Sequence, residues 1–188
     1  SRLILDIGAW VLNQVCGDYA AWQREIADPG MVAINLSLKE LSQASFIPHC
    51  RSVFEKHGVS PSRVELEITE TTLMLDAERT LPLLDELRAM GVHLSIDDFG
   101  TGYSSLSALQ QFPIGTLKID QSFVRNAATD PDDATIVRTI IEMGRSLGLQ
   151  VLAEGIETEE QRDFLLQSGC QFGQGRLFGH PVSADEFL

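Results

Sequence analysis

Short apolar runs alternate with longer amphipathic stretches along this chain, and the alternation predicts its architecture. Six runs read as strands: 31–36 (MVAINL), 64–69 (VELEIT), 92–98 (VHLSIDD), 116–121 (TLKIDQ), 150–156 (QVLAEGI) and 171–178 (QFGQGRLF). Between them lie helix patterns with recognisable ends. Residues 133–147 place Ile136, Val137, Ile140, Ile141 and Leu147 on one broad apolar stripe, and Gly148 stops it. The next helix opens with Thr158 and Gln161, which match a capping box, and Gly169 closes it. Another ends at Gly91, with Pro82 implying a late start or a kink. Strands alternating with helices of this length mean right-handed βαβ units and a parallel sheet.

Strand parity sharpens this picture, because residues i and i+2 share a face. Asn35 shares its face with Ala33, Glu67 with Glu65, Asp97 with Ser95, Lys118 with Thr116, and Glu154 with Leu152. The opposite face carries Val32, Ile34, Val64, Leu66, Ile68, Leu94, Ile96, Leu117, Ile119, Val151 and Ala153, and suits an outer layer of helices. Each run closes on polar chemistry: Asn35, Glu67, Asp97–Asp98, Lys118, Glu154 and Gln174. A (β/α) barrel of the TIM type builds its active site at this C-terminal rim.

Length and charge bound the answer. With 188 residues, 44% of them hydrophobic, the chain is one domain with material for a sizeable core. It is short for a complete eight-stranded barrel, which usually takes about 250 residues. A formal charge of -13 argues against binding a DNA or RNA polymer, so an anionic ligand would need cations to reverse the local field. Cys16, Cys50 and Cys170 are scattered without metal-ligand spacing and read as reduced thiols of a cytoplasmic protein. The apolar stretch from Leu3 to Val15 is broken by Asp6, Asn13 and Gln14 and cannot span a bilayer, which leaves room for a membrane anchor elsewhere in a longer parent protein.

Carboxylates and an amide oxygen are hard donors that suit Mg²⁺ or Mn²⁺ rather than Zn²⁺. His49, His57, His93 and His180 have no zinc-type spacing, and His93 reads as an interior histidine. An adjacent pair such as Asp97–Asp98 can serve two cations, the arrangement that stabilises attacking and leaving oxygens in phosphoryl displacement. Lys118 can orient a nucleophilic water or balance phosphate charge. The segment from Asp98 to Ser105 (DFGTGYSS) reads as a mobile loop over the site, and it is no P-loop, since GK[ST] is absent. Taken singly, each feature has an ordinary explanation. An isolated Asp-Asp pair caps a turn, Glu65 and Glu67 line an edge strand, and Lys118 snorkels to solvent. The coincidence of polar chemistry at six strand ends is what singles out a site.

The motifs NLS (35–37), ELEITE (65–70), DDFGTGYSSL (97–106), LKID (117–120), AEGIE (153–157) and QGRLFGHP (174–181) resemble, in order, the signature of EAL domains. WVLNQVC (10–16) fits the helix before the asparagine strand of that family. The resemblance covers essentially the whole chain. It implies an EAL-like, modified TIM-type (β/α) barrel that hydrolyses the bacterial second messenger cyclic di-GMP to linear pGpG, with Mg²⁺ or Mn²⁺ in a two-metal site. It further implies that Asn35, Glu67 and Asp97 hold the first metal and Asp97 and Asp98 the second. Glu154 binds through water or acts as base, and Lys118 positions the attacking water. Glu70 anchors the loop after Asp98, while Glu157 and Gln174 complete the pocket wall. Flanking sensory or GGDEF-type modules in a parent protein are implied too. Leu106–Leu109 reads as ordinary helix packing, in a region that often lies at a homodimer interface in the family.

The chain also departs from the family pattern. No Glu-Ala-Leu tripeptide occurs in it, nor the ligand-contacting arginine that follows, and Arg176 stands where an aromatic residue is usual. Six strands are visible where the family has eight, so the expectation is a single EAL-like domain, residues 1–188, N-terminally incomplete with the first two strands missing. The alternative function is a catalytically inactive cyclic di-GMP receptor or regulatory scaffold. An enolase-type Mg²⁺ barrel also sets acids at strand ends, but it needs a dedicated base pair and only Lys118 is available.

Overall fold

The structure, a computed structural model, describes residues 3–75, 77–102 and 106–187. Tyr103, Ser104 and Ser105 of the glycine loop lie outside the described residues. Six parallel strands run in the order β1 to β6 and curl into part of a barrel. They are β1 (Val32–Asn35), β2 (Val64–Thr69), β3 (His93–Phe99), β4 (Thr116–Ile119), β5 (Gln150–Ala153) and β6 (Phe172–Gly173). Sequential parallel neighbours are the outcome expected of consecutive right-handed βαβ crossovers.

The chain enters through α1 (Leu3–Glu25) and passes from β1 through α2 (Leu38–Leu41) and α3 (Phe46–His57). After β2 come α4 (Glu70–Leu75) and α5 (Ala77–Met90); α6 (Leu106–Leu109) leads to β4. Then α7 (Gln121–Asn126), α8 (Pro131–Ser146) and α9 (Glu159–Gln167) complete the helical layer. Helix ends follow local chemistry. Thr158 and Gln161 form the capping box of α9, and Ser37 with Glu40 forms another on α2. Pro131 opens α8 at its first turn, where a missing N–H costs nothing. Pro82 lies inside α5, so of the late start or kink expected from the sequence the late start does not occur. Leu109 of α6 is 2% exposed, which accords with core packing of that turn.

The core lies between strands and helices. Leu66, Ile68, Leu94, Ile96, Leu117 and Ile119 are buried on the outer face of the sheet. Leu84 and Leu87 of α5 and Val137, Ile140 and Ile141 of α8 are buried in the same core. Each such side chain contributes about 1.5–3 kcal/mol on burial. The other sheet face carries buried Glu65, Glu67, Ser95, Thr116 and Lys118. β2 is an interior strand, paired with β1 and β3, so Glu65 and Glu67 are not an edge-strand face. The last strand is shorter than the sequence suggests. Gly175 packs so closely on the backbone of Ile156 that a Cβ there would fall 2.1 Å from its carbonyl oxygen. The chain therefore leaves the ladder after Gly173, although the Gln174 N–H still donates to the Ala153 carbonyl at 2.9 Å.

A clasp links the segment after β6 to the helix before β1. The Trp22 indole N–H donates to the Ala184 carbonyl at 2.9 Å, and its ring lies 4.6 Å from that of Phe187. Trp22→Ala removes both contacts from a half-buried site and is expected to cost about 2 kcal/mol, measured by urea unfolding. An unchanged midpoint would show the clasp to be idle. Burial pushes the Cys50 thiol up to about 12, with Cys16 adding to the shift, and pushes Cys16 up to about 11. Native protein at neutral pH should therefore leave both unreactive toward a disulfide reagent until it is denatured.

Candidate metal centre

The site is organised around Lys118. Its position on β4 sends the side chain into the bore, where it is 3% exposed, so it does not snorkel to solvent. Its ammonium lies 2.5 Å from Glu67 Oε1, 2.5 Å from Glu154 Oε1 and 3.6 Å from Asp97 Oδ1. Burial alone would lower its pKa, but the hydrogen bonds to Glu154 and Glu67 and their charges raise it overall. Lys118 is thus a fixed cation rather than a proton acceptor. Glu154 responds the other way: burial pushes its carboxyl up, Lys118 pulls it back, and Asp97 and Glu67 add to the rise. A carboxylate of raised pKa is the better proton acceptor.

Strict alternation would turn Asp98 toward the helices, away from Asp97. Instead the β3–β4 ladder shifts register between Ile96 and Phe99, and Asp98 takes φ +54. This bulge re-aims one side chain at the cost of a left-handed residue, a conformation aspartate tolerates better than most. Asp97, Asp98 and Glu154 each offer a carboxylate oxygen, and these lie within 4.8 Å of one another. Asp97 Oδ1 accepts the backbone N–H of Asp98 at 3.0 Å. Burial raises the Asp98 pKa, and its hydrogen bond with Asp120 and the charge of Asp97 add to that. Burial pushes Asp120 up as well, but hydrogen bonds from the Ser122 side chain and backbone and from Asp98 bring it down overall. The two carboxyls are thus pushed in opposite directions, Asp98 up and Asp120 down. Such crowding of acids in a partly buried rim fits a small divalent cation with all-oxygen ligation.

Asp120 was not among the site residues read from the sequence, and it stands immediately before α7. It caps that helix, accepting the Ser122 N–H at 2.8 Å. The available signal was its spacing of two from Lys118, which places both on one strand face. The remaining candidates are distributed as follows. Asn35 pairs in register with Glu67 but is exposed on β1. Gln174 donates its amide to Glu154 Oε1 at 2.8 Å. Glu70, 2% exposed, accepts the N–H groups of Gly100 at 3.0 Å and Gly102 at 3.2 Å. Gly100 has φ +102, so glycine is required for the chain to turn over that carboxylate. Glu157 is not brought to the acidic cluster; it lies exposed, with Arg176 Nη1 3.6 Å from its Oε1. His93 stands beside Glu65, at the opposite end of β3 from Asp97 and Asp98.

Lys118→Met would leave Glu67 and Glu154 buried without their counter-charge. The expected loss is about 3 kcal/mol of stability in chelator, with Mg²⁺ recovering part of it. An unfolding midpoint unchanged by the substitution would contradict this account of the rim.

Comparisons with known proteins agree with this architecture. Residues 1–181 match the family described as the EAL domain. The chain is 44% identical over 186 residues to the bifunctional diguanylate cyclase/cyclic di-GMP phosphodiesterase MucR of Pseudomonas aeruginosa. That match covers 99% of this chain and 27% of MucR. The solved PaMucR phosphodiesterase, in complex with c-di-GMP, superposes with a TM-score of 0.95 at 44% identity, over 99% of this chain and 75% of that one. Klebsiella pneumoniae BlrP1, solved with manganese and the cyclic dinucleotide, gives a TM-score of 0.83 at 31% identity, over 96% of this chain and 45% of that one. Among the described residues no helix is long and apolar enough to cross a membrane. With the motifs, the parallel part-barrel and the acidic rim in agreement, the chain belongs to the EAL domain family.

Proposed function

We propose that this domain hydrolyses cyclic di-GMP to linear pGpG in a site that takes two Mg²⁺ or Mn²⁺ ions. The observation that carries this reading is the convergence of Asp97, Asp98 and Glu154 beside the buried Lys118 ammonium. The likeness to a phosphodiesterase solved with c-di-GMP, and to a relative solved with manganese and the same nucleotide, supports it.

Asn35, Glu67, Asp97, Asp98 and Glu154 are the residues that would hold the cations, with Asp120 beside Asp98 as a further oxygen donor. Bound there, divalent cations neutralise phosphoryl charge and acidify water. The protein's own groups divide the remaining work. Glu154 accepts a proton from the water that attacks phosphorus. The new bond is from water oxygen to phosphorus, and the bond that breaks is from phosphorus to the ribose 3′-oxygen, which takes up a proton from solvent while Glu154 later returns its own to solvent. Lys118, fixed in its protonated state, holds Glu154 and Glu67 in place and sets a positive charge beside the attacked phosphate. Gln174 fixes the orientation of the Glu154 carboxylate. Glu70 ties down the start of the glycine loop by accepting two backbone N–H groups.

Protein incubated with cyclic di-GMP and Mg²⁺ or Mn²⁺ should release linear pGpG, resolved by chromatography. Asp97→Asn should slow this by at least about 100-fold while leaving the fold intact, since it weakens cation binding without changing side-chain size. Undiminished hydrolysis in that variant contradicts the assignment. Parent protein that binds the nucleotide with cation present and returns it uncut would instead be a receptor.

A further inference from the structure

The rim has a charge problem that its acidic residues do not solve. The chain carries a formal charge of -13, and Lys118 is held between Glu67 and Glu154. A cyclic dinucleotide brings two phosphodiesters, only one of which is cut at a time. The second is an anion beside an acidic rim and is favoured by a cation within reach.

The segment after β6 carries an exposed cation, Arg176. Beside the Glu154–Gln174 hydrogen bond, a cleft of about 370 Å³ opens between Gly155 and the segment 174–181. This is within the usual range for small-ligand sites, about 300–1,000 Å³. Much of its wall is glycine, at Gly155, Gly175 and Gly179, so ligand atoms can approach the backbone there. Arg176 is its permanently charged side chain and is 68% exposed. Its guanidinium stands 3.6 Å from Glu157, which is 54% exposed, longer than the roughly 2.7–2.9 Å of a strong charge-assisted hydrogen bond. An exposed pair of that length contributes little and is readily exchanged. Lys118 and Arg176 therefore differ in kind: one cation is locked by geometry, the other rests on a weak counter-ion at the mouth of a cleft.

We propose that Arg176 anchors the phosphodiester of cyclic di-GMP that is not being cleaved, leaving Glu157 to do so, and that Glu157 is its resting counter-ion. Arginine suits this task because its planar fork grips two phosphate oxygens at once. The inference rests on the phosphodiesterase reading above. It assigns Arg176 to substrate binding and makes Glu157 a positioning residue outside the reacting centre.

The test compares two substrates with Mn²⁺ present: cyclic di-GMP, and bis(p-nitrophenyl) phosphate, which has a single phosphodiester and cannot reach both places. In Arg176→Met, kcat/KM for cyclic di-GMP relative to that for bis(p-nitrophenyl) phosphate should fall about tenfold, mostly through KM. Arg176→Lys should recover part of the loss, and the salt dependence of KM should weaken in Arg176→Met. Glu157→Gln should lower KM for the dinucleotide by releasing the arginine. A parent that hydrolyses both substrates and an Arg176→Met variant with an unchanged ratio would overturn the inference. Equal losses on both substrates would do the same, by making Arg176 merely structural. A parent that hydrolyses neither refutes the phosphodiesterase reading itself.

Discussion

One buried ammonium group makes the rest of this rim possible. Glu67 of β2, Asp97 of β3 and Glu154 just after β5 meet at Lys118, which is 3% exposed. An unpaired charge in such a position costs several kcal/mol, and so do unpaired carboxylates. Lysine and acids therefore require one another, and together they fix the relative depth of β2, β4 and the end of β5. The outward apolar face supplies the general stability of the sheet. The inward ion pairs specify which polar atoms meet and leave an excess of carboxylate oxygen facing the rim.

That excess gives the fold its chemistry. Asp97, Asp98 and Glu154 converge within 4.8 Å, and the hydrogen bond with Asp120 adds to the rise in the Asp98 pKa. The bulge between Ile96 and Phe99 is the local device that allows two adjacent residues to serve one site. Glu70 then secures the chain leaving that bulge, through the backbone of Gly100 and Gly102. Strain at Asp98 and burial of Glu70 are thus parts of the same arrangement.

Much of this was legible in the sequence, because period-two alternation on a strand is a strong signal and each strand ended on a polar residue. VELEIT gave β2 with its bounds, and Lys118 followed from parity alone. Asp98 was placed by its motif, but its direction was not legible, since a register shift leaves no periodic mark. Asp120 escaped because the run 116–121 was represented by Lys118 alone, and the structure ends that strand at Ile119 and makes Asp120 the cap of α7. The ion pair between Glu157 and Arg176, 19 residues apart, is a contact that no local pattern encodes. The last strand ended early because Gly175 packs against a backbone, which hydropathy does not register.

The central claim is that this rim is a divalent-cation site built from strand-end carboxylates. Crystals soaked in Mn²⁺ and measured for its anomalous scattering test it most directly. The account predicts anomalous density within coordination distance of Asp97 and Asp98. Manganese bound only elsewhere, or none at the rim at millimolar concentration, would contradict it.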